Sequence, residues 1–188
     1  MIEHCYHINH FPLLDIAYVD EAFGADYSYN VNQYTDETKR LPESLHAISS
    51  YSKTMFIQDM AKYFDAPISD DFTPGYSDVI KTSYLKILPG QGIDWHTDIS
   101  RNCAINILLN GVDGKCVTLF RNKNKNHRVL QENWALEYKL YMPVLINTQV
   151  EHMVANWSLK ERYLLTIGLP KRVNYQDAKE FLKHYVPY

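Results

Sequence analysis

The second half of the chain is built from short apolar runs. From Ile80, "IKTSYLKIL", "CAINILLNG", "CVTLF", "WALEYKLYMPVLINT" and "RYLLTIGL" are rich in β-branched and aromatic residues and are separated by Gly, Asn and Lys turns. Runs of this length and composition predict strands, and five in succession predict a sandwich or barrel. The first half is mixed. "HCYHINHFPLLDIAYVDEAF" has room for one short strand followed by a short helix. From about Ser44 to Tyr63, Leu45, Ile48, Tyr51, Met55 and Met60 fall near one face, which predicts a helix ended by Pro67 and the loop "SDDFTPGYSD". In the tail, Tyr175, Ala178, Phe181, Leu182 and Tyr185 recur at helical spacing and predict a helix packed on the sheet.

The length, 188 residues, suits one domain. Its expected parts are a mixed support region at 1–79, a β-rich core at 80–170 and a C-terminal helix at 171–188. A net charge of −3 gives no support for extended binding to a phosphate backbone, and no nucleic-acid partner is expected. The basic run "RNKNKNH", 121–127, reads as a solvated hairpin tip. Three cysteines without a CxxC pair argue against a disulfide framework and against a cysteine-rich zinc site. The N-terminus does not read as a secretory signal, and no run reaches the apolar length of a membrane span. A cytoplasmic protein without a membrane partner is the expectation.

Against that background two polar clusters stand out. "LPGQGIDWHTDISRN" places His96 and Asp98 two positions apart, where an extended chain points both side chains the same way. "INTQVEHMVANWSLKERYLLTIGL" carries His152 in an apolar run and Arg162 ten residues later. In a strand, Arg162, Leu164 and Thr166 share one face, and Tyr163, Leu165 and Ile167 share the other. If the first face is interior, a guanidinium lies inside the barrel, which is unfavourable unless an anion meets it. Two imidazoles and a carboxylate form the facial triad of non-haem iron(II), with three coordination positions open. A 2-oxo dicarboxylate could chelate the metal and set its far carboxylate on Arg162. The same donor set also suits catalytic zinc.

His96-Thr97-Asp98, His152 and Arg162, together with "HMVANWSLKERYLL" and the "LPGQG" turn, make residues 80–170 resemble the iron(II)/2-oxoglutarate-dependent oxygenases. The likeness is greatest to the proline and aspartyl/asparaginyl hydroxylase branch. That resemblance implies a mainly β fold with flanking helices, a double-stranded β-helix (jelly roll, cupin-like). It implies Fe(II) on His96, Asp98 and His152, with 2-oxoglutarate on Arg162 and O2 as the oxidant. The implied activity is hydroxylation of a C–H bond of a small amino acid or peptide side chain, with succinate and CO2 as coproducts. Halogenating relatives replace the carboxylate with a small residue, so Asp98 favours hydroxylation. Leu164 stands where several relatives carry a serine, which leaves Thr166 or Tyr84 as candidates for the second contact to the cosubstrate carboxylate.

Around these residues, Arg101, Asn106 and Trp95 are candidates for substrate contact. Each also has an ordinary reading: Arg101 as a rim charge, Asn106 as a cross-strand hydrogen bond, Trp95 as packing. The competing functions are a non-redox metal-binding barrel and a zinc-dependent hydrolase. A bare metal site needs no buried guanidinium, and the chain has no HExxH.

Overall fold

The computed structural model describes residues 3–9, 16–24, 43–46, 53–69, 78–110, 114–122 and 133–186. The basic tip at 123–127 and most of the "SDDFTPGYSD" loop lie outside them. The elements run β1 (Cys5–His7), α1 (Ile16–Gly24), β2 (Glu43–His46), α2 (Met55–Tyr63), β3 (Ile68–Ser69), β4 (Ile80–Ile87) and β5 (Gly92–His96). They continue with β6 (Cys103–Leu108), β7 (Cys116–Arg121), β8 (Asn133–Leu136), β9 (Pro143–Asn147), β10 (Glu151–Asn156), β11 (Arg162–Gly168) and α3 (Tyr175–His184).

From β4 onward, the strands are shared between two sheets. The larger has the order β1-β9-β6-β11-β4-β2, with β3 beside β4, and the smaller has the order β5-β10-β7-β8. Among these pairs only β3–β4 is parallel. Two antiparallel sheets exchanging strands in this order form a double-stranded β-helix, the mainly β jelly roll expected from the sequence. β1, β2 and β3 extend the larger sheet from the N-terminal region.

Two apolar layers hold the fold. On the outer face of the larger sheet, Tyr84, Ile107, Leu145, Leu165 and Ile167 pack with Phe56 and Met60 of α2 and Phe181 and Leu182 of α3. Between the sheets, Ala104, Phe120, Leu136, Val144, Ile146 and Val150 form a second core. Each large apolar side chain removed from water in these layers contributes about 1.5–3 kcal/mol. The predicted tail helix is present, its N-terminus capped by Asn174, whose side chain accepts from the Asp177 amide at 2.9 Å.

Two expectations are corrected. Of the segment from Ser44 to Tyr63 predicted as one helix, Ser44–His46 belongs to the strand Glu43–His46, paired antiparallel to Lys86–Ser83, and Met55–Tyr63 is a helix, while Ile48 and Tyr51 lie outside the described residues. The open edge of β4 offers backbone partners there, and sheet pairing overrides a local helical periodicity. "WALEYKLYMPVLINT" is two strands in different sheets, with Tyr141 between them at a φ of 61°.

Candidate metal centre

The smaller sheet places one histidine across from another. His152 of β10 stands opposite His96 of β5 on one side and opposite Phe120 of β7 on the other. Past His152 the register shifts, because Val154 faces Ile93. Three steps along β5 therefore match two along β10, which marks a bulge in β5. Strict alternation from Ile93 would turn His96 to the outer face. The bulge turns it inward, toward His152. Gly92 permits this close approach: a Cβ there would lie 2.6 Å from the Val154 carbonyl oxygen.

The imidazole centroids of His96 and His152 are 4.3 Å apart. His96 Nδ1 lies 2.6 Å from the Asp94 carbonyl oxygen, and His152 Nδ1 lies 2.9 Å from that of Val150. With Nδ1–H donating to those carbonyls, both Nε2 lone pairs are free for a metal. Asp98 follows β5 and brings Oδ1 to 3.6 Å from His96 Nε2. One ligand atom from each residue lies within 4.8 Å of the others. These three side chains would together hold a metal ion. His152 is 4 % exposed, while the His96 and Asp98 side chains keep 19 % and 14 % of their surface, so the triad is reached from one side.

Local charges prepare these donors. Burial pushes the Asp98 carboxyl upward, but the Arg101 cation and its hydrogen bond, with His152 and His96, outweigh it and hold the group below its ordinary value. Burial, then the facing His96, pushes His152 below the ordinary imidazole value, which keeps it neutral and able to ligate at pH 7. A carboxylate and two imidazoles fit a divalent first-row metal.

Arg162 opens β11 on the face that looks between the sheets, and it is fully buried. Its Nη1 donates to the Val117 carbonyl oxygen at a long 3.4 Å, and its guanidinium carbon lies 4.8 Å from the Tyr138 ring centroid. Nε and Nη2 have no hydrogen-bond partner among the described residues. Tyr138, which the sequence reading missed, accepts from Asn106 Nδ2 at 3.2 Å and Thr118 Oγ1 at 3.5 Å. Val117 precedes Phe120, the partner of His152, by three residues, or roughly 10 Å at about 3.3 Å each. These orphaned donors fit the far carboxylate of a dicarboxylate whose other end is on the metal.

The remaining sequence candidates separate. Thr166 and Asn106 do face the interior, but Thr166 Oγ1 donates to Asn106 Oδ1 at 2.7 Å, so Thr166 reaches the guanidinium's surroundings only through Asn106 and Tyr138. Tyr84 is on the other face. It stands opposite Leu165 and belongs to the layer beneath the helices, so it does not share the triad's pocket. Trp95 also faces away: its ring lies 4.2 Å from the Arg121 guanidinium, which is paired with Glu151 on the outer side of the smaller sheet. Arg101 places its Nε on Asp98 Oδ2, which makes it a partner of the ligand.

No family model matches the chain, and no curated protein matches its sequence. Solved structures do match in shape. A Pseudomonas putida prolyl-4-hydroxylase superposes with a TM-score of 0.56 at 18 % identity, covering 89 % of this chain and 93 % of its own. A non-haem α-ketoglutarate-dependent epimerase from nogalamycin biosynthesis gives 0.54 at 9 % identity, covering 93 % and 84 %. An α-ketoglutarate-dependent carbocyclase from the same biosynthesis gives 0.51 at 13 % identity, covering 98 % and 87 %. The chain therefore shares the double-stranded β-helix fold of non-haem 2-oxoglutarate-dependent enzymes.

Proposed function

We propose that the protein is an Fe(II)/2-oxoglutarate-dependent dioxygenase that hydroxylates a C–H bond of a small amino acid or a peptide side chain in the cytoplasm. The observation that carries this reading is Arg162, a fully buried guanidinium with orphaned Nε and Nη2 in the interior that also holds the triad. A structural barrel gains nothing from such a group, because an unpaired buried cation is costly. A bound dicarboxylate supplies its partner.

His96, Asp98 and His152 would hold the metal, and Arg162 with the Tyr138 hydroxyl would hold the far carboxylate of 2-oxoglutarate. Iron, 2-oxoglutarate and O2 together supply the oxidising power, with decarboxylation to succinate and CO2 accompanying insertion of one oxygen atom into the substrate. The protein's own work is positional. The Asp94 and Val150 carbonyls orient the imidazoles. The planar fork of Arg162 would set the cosubstrate's direction, and the Phe120 ring lies beside His152, their centroids 5.8 Å apart.

Titration calorimetry of 2-oxoglutarate into Mn(II)-loaded protein tests this reading. Arg162→Ala is expected to weaken 2-oxoglutarate at least about tenfold, the loss of one charge-assisted contact at about 1.4 kcal/mol per factor of ten. Mn(II) affinity should hardly change. Arg162→Lys is expected to recover part of the loss, keeping the charge without the fork. Unchanged 2-oxoglutarate binding in Arg162→Ala would remove the assignment while leaving the metal site standing.

A further inference from the structure

We propose that Arg101 is a positioning residue that restricts Asp98 to one-oxygen coordination and so keeps a third position on the metal open. The inference rests on the metal-binding reading above. The two oxygens of Asp98 have different neighbours. Oδ1 faces His96 Nε2 at 3.6 Å, on the triad side. Oδ2 accepts from Arg101 Nε at 2.5 Å. Carboxylates bind cations through one oxygen or both, and Asp98 with both oxygens free could chelate and close a position. Arg101 occupies the second oxygen with a charge-assisted bond.

The arginine is itself held. Its side chain lies against Gly168 of β11, where a Cβ would come within 3.2 Å of Nη1 and 3.4 Å of Cδ. A side chain there would push the guanidinium away from this seat. The loop carrying both residues is fastened to the β9–β10 turn. The Asp98 amide donates to the Thr148 carbonyl at 3.0 Å, and the Thr148 amide donates to that of Asn102 at 3.1 Å. Thr148 Oγ1 donates to the Arg101 carbonyl at 3.0 Å, and Gln149 Nε2 donates to the carbonyls of Asp98 and Arg101 at 2.9 Å each. The same turn supplies the Val150 carbonyl that orients His152. Fastening and steering are thus separable: Gln149 fixes where the loop lies, and Arg101 decides which Asp98 oxygen faces the metal.

Mn(II) binding followed by the electron-spin resonance of the free ion, with water-proton relaxation of the bound ion, tests this without turnover. The wild-type protein is expected to bind one Mn(II) with three water-accessible positions, as a facial triad leaves on an octahedral ion. R101Q is expected to bind Mn(II) at least as tightly, since a cation beside the ligand is gone, while relaxation per bound ion falls by about one third as three waters become two. R101K should recover at least half of that loss. G168A, which crowds Arg101 without removing it, should show a smaller fall in the same direction. Q149A is expected to weaken Mn(II) with relaxation per bound ion unchanged. Relaxation in R101Q equal to wild type, or R101Q behaving like Q149A, would overturn the role given to Arg101. If R101Q does not fold by circular dichroism, the same criterion is applied to G168A. A wild-type protein that binds no Mn(II) would instead remove the metal-binding reading.

Discussion

Replacing Arg162 with methionine is expected to make the ligand-free protein more stable and to shrink the stabilisation that 2-oxoglutarate gives. Methionine keeps the inner, apolar part of the side chain and removes its charge. In the wild type, Nε and Nη2 are buried without partners, and each such group costs about 1–3 kcal/mol. Against this stand the long contact to the Val117 carbonyl at 3.4 Å and the stacking on Tyr138 at 4.8 Å, the latter worth about 0.5–2 kcal/mol. Well-packed apolar replacement of buried ion pairs has often been neutral or stabilising by about 1–4 kcal/mol, and an unpaired guanidinium has less attraction to lose. The net expectation is a gain of about 1–2 kcal/mol for Arg162→Met without ligands. With Mn(II) and 2-oxoglutarate at a hundredfold over Kd, the wild type should gain about 2.7 kcal/mol from cosubstrate binding. The variant should lose at least about 1.4 kcal/mol of that gain. Urea unfolding of the metal-free protein, and at fixed Mn(II) with and without 2-oxoglutarate, reads both quantities. A variant less stable than wild type by more than about 2 kcal/mol in the absence of ligands, or one that keeps the whole 2-oxoglutarate gain, would refute this account of Arg162.

Other outcomes follow from the same geometry. Asn156 is fully buried and its amide ties the β10–β11 turn together, donating to the Ile87 and Lys160 carbonyls at 2.8 Å and accepting from Ser158. Asn156→Ala should therefore cost about 2–4 kcal/mol in urea unfolding, since several buried partners lose their bonds. Acidification should destabilise the metal-free protein in two stages. His152 sits below its ordinary value, so the unfolded chain takes up that proton first as pH falls below about 6.5; Asp98 is also held low, and its contribution is lost below about pH 4. Urea midpoints between pH 8 and pH 3 measure this, and His152→Gln should abolish the first stage. Burial pushes the Cys103 thiol up to about 12, so iodoacetamide at pH 8 should leave it unmodified in the folded protein and alkylate it in urea, as read by mass spectrometry.

The triad and Arg162 were legible in the sequence because residue type and spacing carry them: an HxD pair on an extended chain, a histidine in an apolar run, and an arginine where a strand begins. The tail helix was legible because its apolar stripe and its Asn174 cap are both local. What depends on pairing was not. Alternation sorts Tyr84 from Leu85 but does not say which face is interior; the register with Leu165 decides it. The inward turn of His96 comes from a bulge set by the β5–β10 register, which no local pattern announces. Ser44–His46 fits a helical stripe in isolation and becomes a strand because β4 has an open edge. Tyr138 lies between two strands in the polar stretch "LEYKLY", and only the folded barrel brings its ring under Arg162.

The central claim is most directly tested by succinate formation from 2-oxoglutarate in the presence of Fe(II) and O2, screened across free amino acids and short peptides. The expected result is succinate that requires iron, rises with one class of amino-acid or peptide substrate and appears with an equal amount of hydroxylated product, and that is lost in Asp98→Ala. Wild-type protein that binds Fe(II) and 2-oxoglutarate, yet forms no more succinate than Asp98→Ala with any of these substrates, would contradict the account.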